Sequence, residues 1–234
     1  GRVEGPEGTP ILRLYEWERI RQVPFQMDAY LPEGSPVLFL RVRIVNPHRQ
    51  AVPMYWWSNI AVPETPHTRV LAPADSTYRF DYRQFDTISL PQAEGIDVTY
   101  PANRSRAGDL FFHIPEGHRP WISALDGEGK GLVHVSTERM RGRKFFCWGM
   151  GHGGRHWQEF LAEPGHTYIE VQAGLAETQM EYLFMPAQTE WSWLEGYGLM
   201  EAVPDIVHGA DWQQAWQSVE DGLEQLIPRA AFDA

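Results

Sequence analysis

Residues 168–174 read YIEVQAG. Alternation this strict points to an extended strand with Tyr168, Glu170 and Gln172 on one face and Ile169, Val171 and Ala173 on the other. The second face must be buried. The first carries a ring, a carboxylate and an amide, which suit a sugar: the ring stacks, the amide meets hydroxyls, the carboxylate takes a proton. A plain solvated strand face is the competing reading.

From Gly1 to about Leu199 the chain is a series of short β-like runs separated by Pro, Gly and Asn. No helical period there exceeds about two turns. The clearest runs are 37–45, 52–62, 132–137, 144–149, 167–174 and 180–185, with a hairpin turn expected over 46–51. Their spacing suits an all-β sandwich or barrel and not alternating βα units. Between Asp205 and Pro228 the pattern changes: Trp212, Ala215, Trp216, Val219, Leu223 and Leu226 recur at three- and four-residue steps, with Asp211 placed to cap. This predicts one amphipathic helix packed on the sandwich or on a further segment. The expected organisation is a main domain over 1–200 and a helical extension over 201–234.

A formal charge of −11 argues against nucleic acid or an anionic membrane surface as partner. RMRGRK at 139–144 is the one dense basic cluster, too small to alter that. Cys147 is the single cysteine, so no intrachain disulfide forms; with Phe145, Phe146 and Trp148 beside it, it reads as a small buried hydrophobe. That, and the lack of a signal-like or membrane-length apolar run, predicts a cytoplasmic setting.

GMGHGG at 149–154 spells GxGxxG, with Glu170 some way downstream. The nine residues RHWQEFLAE leave too little chain for a crossover helix, so a dinucleotide site is rejected and no cofactor is expected. His152, His156 and Glu159 have metal-ligand spacing on a helix, but glycines 153 and 154 weaken that helix, and no metal is expected. Arg155, His156 and Trp157 in a Gly-rich loop read equally as a cover over a polar ligand or as structure. In MYWWSNIAV, alternation sends Trp56 and Ser58 one way and Tyr55, Trp57 and Asn59 the other: one Trp for the core, one for a sugar platform or an interface. No serine-nucleophile pattern is present. Glu170, Glu181, Glu190 and Glu195 fall close together among Trp191, Trp193 and Tyr197. Paired carboxylates of this kind hydrolyse glycosides, whereas one carboxylate with a separate acid suits proton transfer at an anomeric hydroxyl.

VRIVNPHRQAVPMYWWSNIAV, KFFCWGMG, YIEVQAG and PAQTEWSWLEGYG, in this order, resemble the galactose-mutarotase-like superfamily, and more closely the bacterial domain-of-unknown-function family often found ahead of tetratricopeptide repeats. The resemblance covers roughly 37–200. It implies a large antiparallel supersandwich, all-β with the C-terminal helix appended, that binds carbohydrate on a concave face. It implies more chain before the first strand and a downstream helical-repeat region as partner. It points to Glu170 as catalytic base, with Gln172 beside it, and matches Asp109 in GDLFFHIP to a sugar-binding Asp. Where mutarotases carry a catalytic His, this chain has Trp and Ser, so another acid is required.

The expectation is a carbohydrate-binding domain of a carbohydrate-active bacterial protein. Its cleft would draw on Trp56, Trp57, Asn59, Asp109, Trp148, His152, Arg155, His156, Trp157, Tyr168 and Gln172. Three functions remain open: glycoside processing by Glu170 with Glu190 or Glu195; aldose 1-epimerisation by Glu170 with an acid from His134, His152 or His156; or binding without catalysis.

Overall fold

The computed structural model describes residues 1–5 and 8–232, and two antiparallel sheets dominate it. The larger runs, in spatial order, through Arg2–Glu4, Pro10–Glu18, Val23–Tyr30, Val37–Asn46, Thr189–Glu201, Lys130–Ser136, Trp121–Leu125 and Arg69–Leu71. The smaller runs through Trp57–Pro63, Tyr168–Gly174, Gly142–Cys147, Gly108–Phe112, Ser76–Phe80 and Phe85–Ser89. Each strand's parity decides what it buries. Leu110, Phe112, Phe145, Cys147, Ile169 and Val171 of the smaller sheet meet Val70, Ile122 and Ala124 of the larger in one core between the sheets. Residues of the intervening positions therefore face outward from the smaller sheet.

Over the strands from Val37–Asn46 to Arg69–Leu71 the other face of the larger sheet is covered by helix. Val37, Leu71, Val133, Val135 and Met200 pack against Trp212, Ala215, Trp216, Val219 and Leu223. The predicted helix with its Asp211 cap forms as α3 at Trp212–Leu226, and a break separates it from α2 at Pro204–Val207; α1 at His152–Leu161 comes earlier in the chain and α4 at Arg229–Phe232 follows. The break has a local cause. Arg69 donates to the carbonyls of Val207 and Gly209 at the end of α2, and the Asp211 carboxylate accepts from the Gln214 amide to start α3.

Two further expectations are corrected. The run 52–62 is two strands: Val52–Met54 pairs with Leu183–Met185, while Trp57–Pro63 joins the smaller sheet. Accordingly 46–51 is a bend between sheets and not a hairpin. The buried Asn46 side chain holds it by donating to the carbonyls of Gln50, Met185 and Pro186. α1 forms despite its glycines because they allow close approach: Gly149 has φ +77°, and a Cβ on Gly154 would strike the Trp148 and Gly149 carbonyls. Here GxGxxG serves packing of loop on helix.

The basic cluster at 139–144 is dispersed by the fold. Arg143 and Lys144 are buried, Arg141 donates to Ile114, and Arg139 lies over the Trp191 ring. No described helix is long and apolar enough to cross a membrane.

Candidate functional site

The outward face of the smaller sheet gathers residues from across the chain. Register places Glu170 opposite Ala61 and Phe146, and Gln172 opposite Asn59 and Lys144; on the next strand Phe111 lies opposite Lys144 and Asp109 opposite Phe146. The side chains join in a continuous hydrogen-bonded chain. Lys144 Nζ donates to Asp109 at 2.5 Å and to Gln179 Oε1 at 2.7 Å. Gln179 Nε2 donates to Gln172 Oε1 at 2.8 Å, and Gln172 Nε2 donates to Glu170 Oε2 at 2.9 Å. Asn59 Nδ2 donates to the same Glu170 oxygen at 2.7 Å. Glu170 is thereby held in place by two amides through one oxygen, and its other oxygen accepts from no described side chain.

Burial sets the electrostatics of the far end. It lowers the Lys144 ammonium from its ordinary value, with Asp109 opposing, and raises the Asp109 carboxyl, with Lys144 opposing. Lys144 also lies 5.2 Å from the centre of the Phe111 ring.

Aromatic rings border this polar line at both ends. Trp57 stands edge-on to Phe111 at 6.0 Å and covers Gly174 and Gly142, where any Cβ would meet the indole. Toward the other end Phe146, Trp148 and Tyr168 are in edge contact, and Trp157 of α1 stacks on Trp148 at 6.1 Å and 24°. Phe146, Trp148 and Trp157 line a hollow of about 650 Å³ together with Tyr82, Arg106 and His152. α1 is tied down beside it by Gln158, which donates to the buried Glu64 carboxylate.

The sequence-predicted residues thus separate. Glu170, Gln172, Asn59, Asp109, Trp57, Trp148, Trp157, Tyr168 and His152 share this face and its adjoining hollow. Trp56 points inward, in edge contact with Phe25 and Trp193, as the parity argument requires of one Trp in the pair. Arg155 is exposed on α1, as is His156, which meets the Trp157 ring.

Neither proposed second carboxylate reaches Glu170. Glu190 is on the exposed surface of the larger sheet, paired with Arg43. Glu195 is fully buried between the sheets, where it accepts from Trp193 Nε1, Tyr197 Oη and the His134 ring. Burial would raise the Glu195 carboxyl, but the hydrogen bond and charge of His134 and the bond from Trp193 hold it below its ordinary value. Burial lowers His134, which is also between the sheets and cannot serve Glu170 as acid. Among the described residues no three His, Cys, Asp or Glu are grouped to hold a metal ion. Cys147 is fully buried, its thiol pushed up to about 11 by that burial, consistent with a packing role.

Sequence reasoning missed Lys144, Phe111 and Gln179. The first two carried a readable signal: in GRKFFC and GDLFF the residues alternating with buried Phe145 and Leu110 fall on the same outward face as Glu170. Gln179 follows its strand in an irregular segment, and no period marks it.

The comparisons with known proteins agree with this architecture. A family model described as "Domain of unknown function (DUF5107)" matches residues 14–189. A TPR-domain containing protein from Parabacteroides distasonis has a similar structure, with a TM-score of 0.71 and 22% identity over 82% of this chain and 33% of its own. A putative aldose 1-epimerase from Escherichia coli is similar at TM-score 0.61 and 11% identity, over 86% of this chain and 68% of that one. A galactose mutarotase-like protein from Clostridium acetobutylicum gives 0.60 and 10%, over 86% and 65%. The chain spans a third of the first protein and about two thirds of the other two. With its sheets in the galactose mutarotase-like arrangement and three quarters of its length matched, the chain belongs to the DUF5107 family.

Proposed function

We propose that the outward face of the smaller sheet binds a carbohydrate, with Glu170 accepting from a ring hydroxyl between the aromatic borders of Trp57 and Trp148. The observation that supports this most directly is the fixing of one Glu170 oxygen by Asn59 and Gln172 while the other accepts from no described side chain. Preorganised acceptors flanked by half-buried aromatic rings favour hydroxyl-rich, partly apolar ligands over purely ionic ones. The likeness to a TPR-domain containing protein supports a helical-repeat region as companion of this domain.

The test is calorimetric titration of the chain with neutral aldoses and disaccharides, with Trp fluorescence as a second readout. Binding should weaken at least about tenfold in Glu170→Ala, the loss of one charged hydrogen bond. Silence from every sugar, or unchanged affinity in the variant, rejects this reading.

A second reading has its own support. Proton transfer at an anomeric hydroxyl needs an acid facing the base, and Lys144, lowered by burial and coupled electrostatically to Glu170, supplies an ammonium there. Glu170 would then take the anomeric proton and Lys144 would protonate the ring oxygen. Polarimetry on a freshly dissolved anomer should show catalysed interconversion that Lys144→Met and Glu170→Gln each abolish. Sugar binding without catalysed interconversion leaves the binding reading alone.

A further inference from the structure

Among the described residues five arginines bury their side chains or most of them, and the guanidinium of one has no hydrogen-bond or ion-pair partner. Arg69 is met by Asp97, Thr99 and two carbonyls, and Arg143 by three carbonyls and Ser136. Arg119 donates to Ile227, and Arg79 is paired with Asp86 and Glu94. Arg104 is 7% exposed, yet its guanidinium makes no hydrogen bond or ion pair among the described residues. Its backbone is fixed by bonds with Pro101 and Met150, and its Nη2 lies so close to Gly108 that a Cβ there would sit 2.9 Å away. A largely enclosed guanidinium that opens onto a cavity with no hydrogen-bonded counter-charge is placed to take an anion there.

Arg104 lines a cavity of about 420 Å³, with Arg79, Arg83, Ser105 and Arg106 also in its wall. Two carboxylates share the wall, and both are already engaged: Glu94 with Arg79, and Asp81 with the backbone amides of Arg83 and Gln84. Arg83, Arg104 and Arg106 form no ion pair among the described residues, in a chain whose net charge is −11. Asp109, the carboxylate that Arg104 senses electrostatically, is bonded to Lys144. Position links the cavity to the sugar face: Ser105 and Arg106 line both it and the 650 Å³ hollow of Phe146, Trp148 and Trp157.

We propose that this cavity holds the oxyanion of a charged sugar, a phosphate or a carboxylate, whose ring lies toward Glu170. The anion pocket follows from Arg104 and its neighbours, while the sugar carrying the anion rests on the carbohydrate reading above. Guanidinium groups present planar donor pairs that match either oxyanion, and the neighbouring aromatic hollow has room for the ring.

The experiment is calorimetry of the full chain with inorganic phosphate, glucose, glucose 6-phosphate and glucuronate. Inorganic phosphate should bind the native chain and bind Arg104→Met at least about tenfold more weakly. The better charged sugar should bind at least about tenfold tighter than glucose to the native chain, and no tighter than glucose to Arg104→Met. Whichever of glucose 6-phosphate and glucuronate gains more names the oxyanion. Arg106→Ala, an exposed change that leaves the core intact, should weaken phosphate roughly two- to fivefold and guards against misfolding of the first variant. Absence of phosphate binding, or phosphate binding indifferent to both substitutions, overturns the pocket. Equal affinity of the native chain for neutral and charged sugars overturns the link to the sugar. Failure of the carbohydrate reading is seen separately, as sugar affinity untouched by Glu170→Ala.

Discussion

Glu170 and Glu195 are both strand carboxylates surrounded by donors, and they occupy opposite situations. Glu195 is fully buried between the sheets, with Trp193, Tyr197 and His134 bonded to its two oxygens and Arg143 nearby. Glu170 stands on the open face of the smaller sheet, with both donors on one oxygen. A buried carboxylate with donors on both oxygens holds a fold together; one on an open face with donors on a single oxygen has an oxygen left to accept. A carboxylate's partners, more than its aromatic neighbours in sequence, separate the two roles.

The sharpest way to break this comparison is Glu195→Ala, which strands the buried donors and the Arg143 charge and should cost about 3–5 kcal/mol in urea denaturation. A loss near zero would mean that the cluster is hydrated and the contrast false. Acid sharpens the same point. Burial holds His134 below its ordinary value of 6.5, and its hydrogen bonds hold Glu195 below 4.5. In each case the unfolded chain binds the proton first, so stability is full above these values and declines as pH falls through them. Melting temperature should therefore drop from about pH 6.5 downward and again below about 4.5, and Glu195→Gln should flatten the second step.

Gly174→Ala comes next. Its Cβ would fall onto the Trp57 indole, and overpacking of this kind costs about 1–3 kcal/mol while displacing the ring that borders the Glu170 face. Weakened sugar binding together with that loss ties Trp57 to the site; lost stability with intact binding makes the ring purely structural. The smallest effect on stability is expected at Glu170→Gln, within about 0.5 kcal/mol in the same denaturation assay. A large destabilisation there would show Glu170 to be as structural as Glu195.

Much of the fold could be read from particular residues. Alternation in YIEVQAG assigned Ile169 and Val171 to the core and Glu170 outward, and MYWWSNIAV sent Trp57 and Asn59 to one face and Trp56 to the other, as found. The α3 stripe and its Asp211 cap were equally plain, because caps and helical periods are local. The hairpin over 46–51 and the single strand over 52–62 failed since a turn sequence does not say which sheet the next strand will join.

The sequence alone determined which side of the strands at Trp57–Pro63 and Tyr168–Gly174 is apolar, where α3 begins, and that Glu170 carries an amide two residues on. Those properties depend on periods of two and 3.6 residues that every chain segment carries within itself. Only the tertiary structure decided which of the clustered carboxylates share a site. Glu170 lies 26 residues from Lys144, 61 from Asp109 and 111 from Asn59, yet strand register makes these its neighbours, while Glu195, 25 residues away, is sealed behind the sheet. Strand pairing, fixed by long-range burial of the two apolar faces against each other, sets those distances, and no local pattern encodes them.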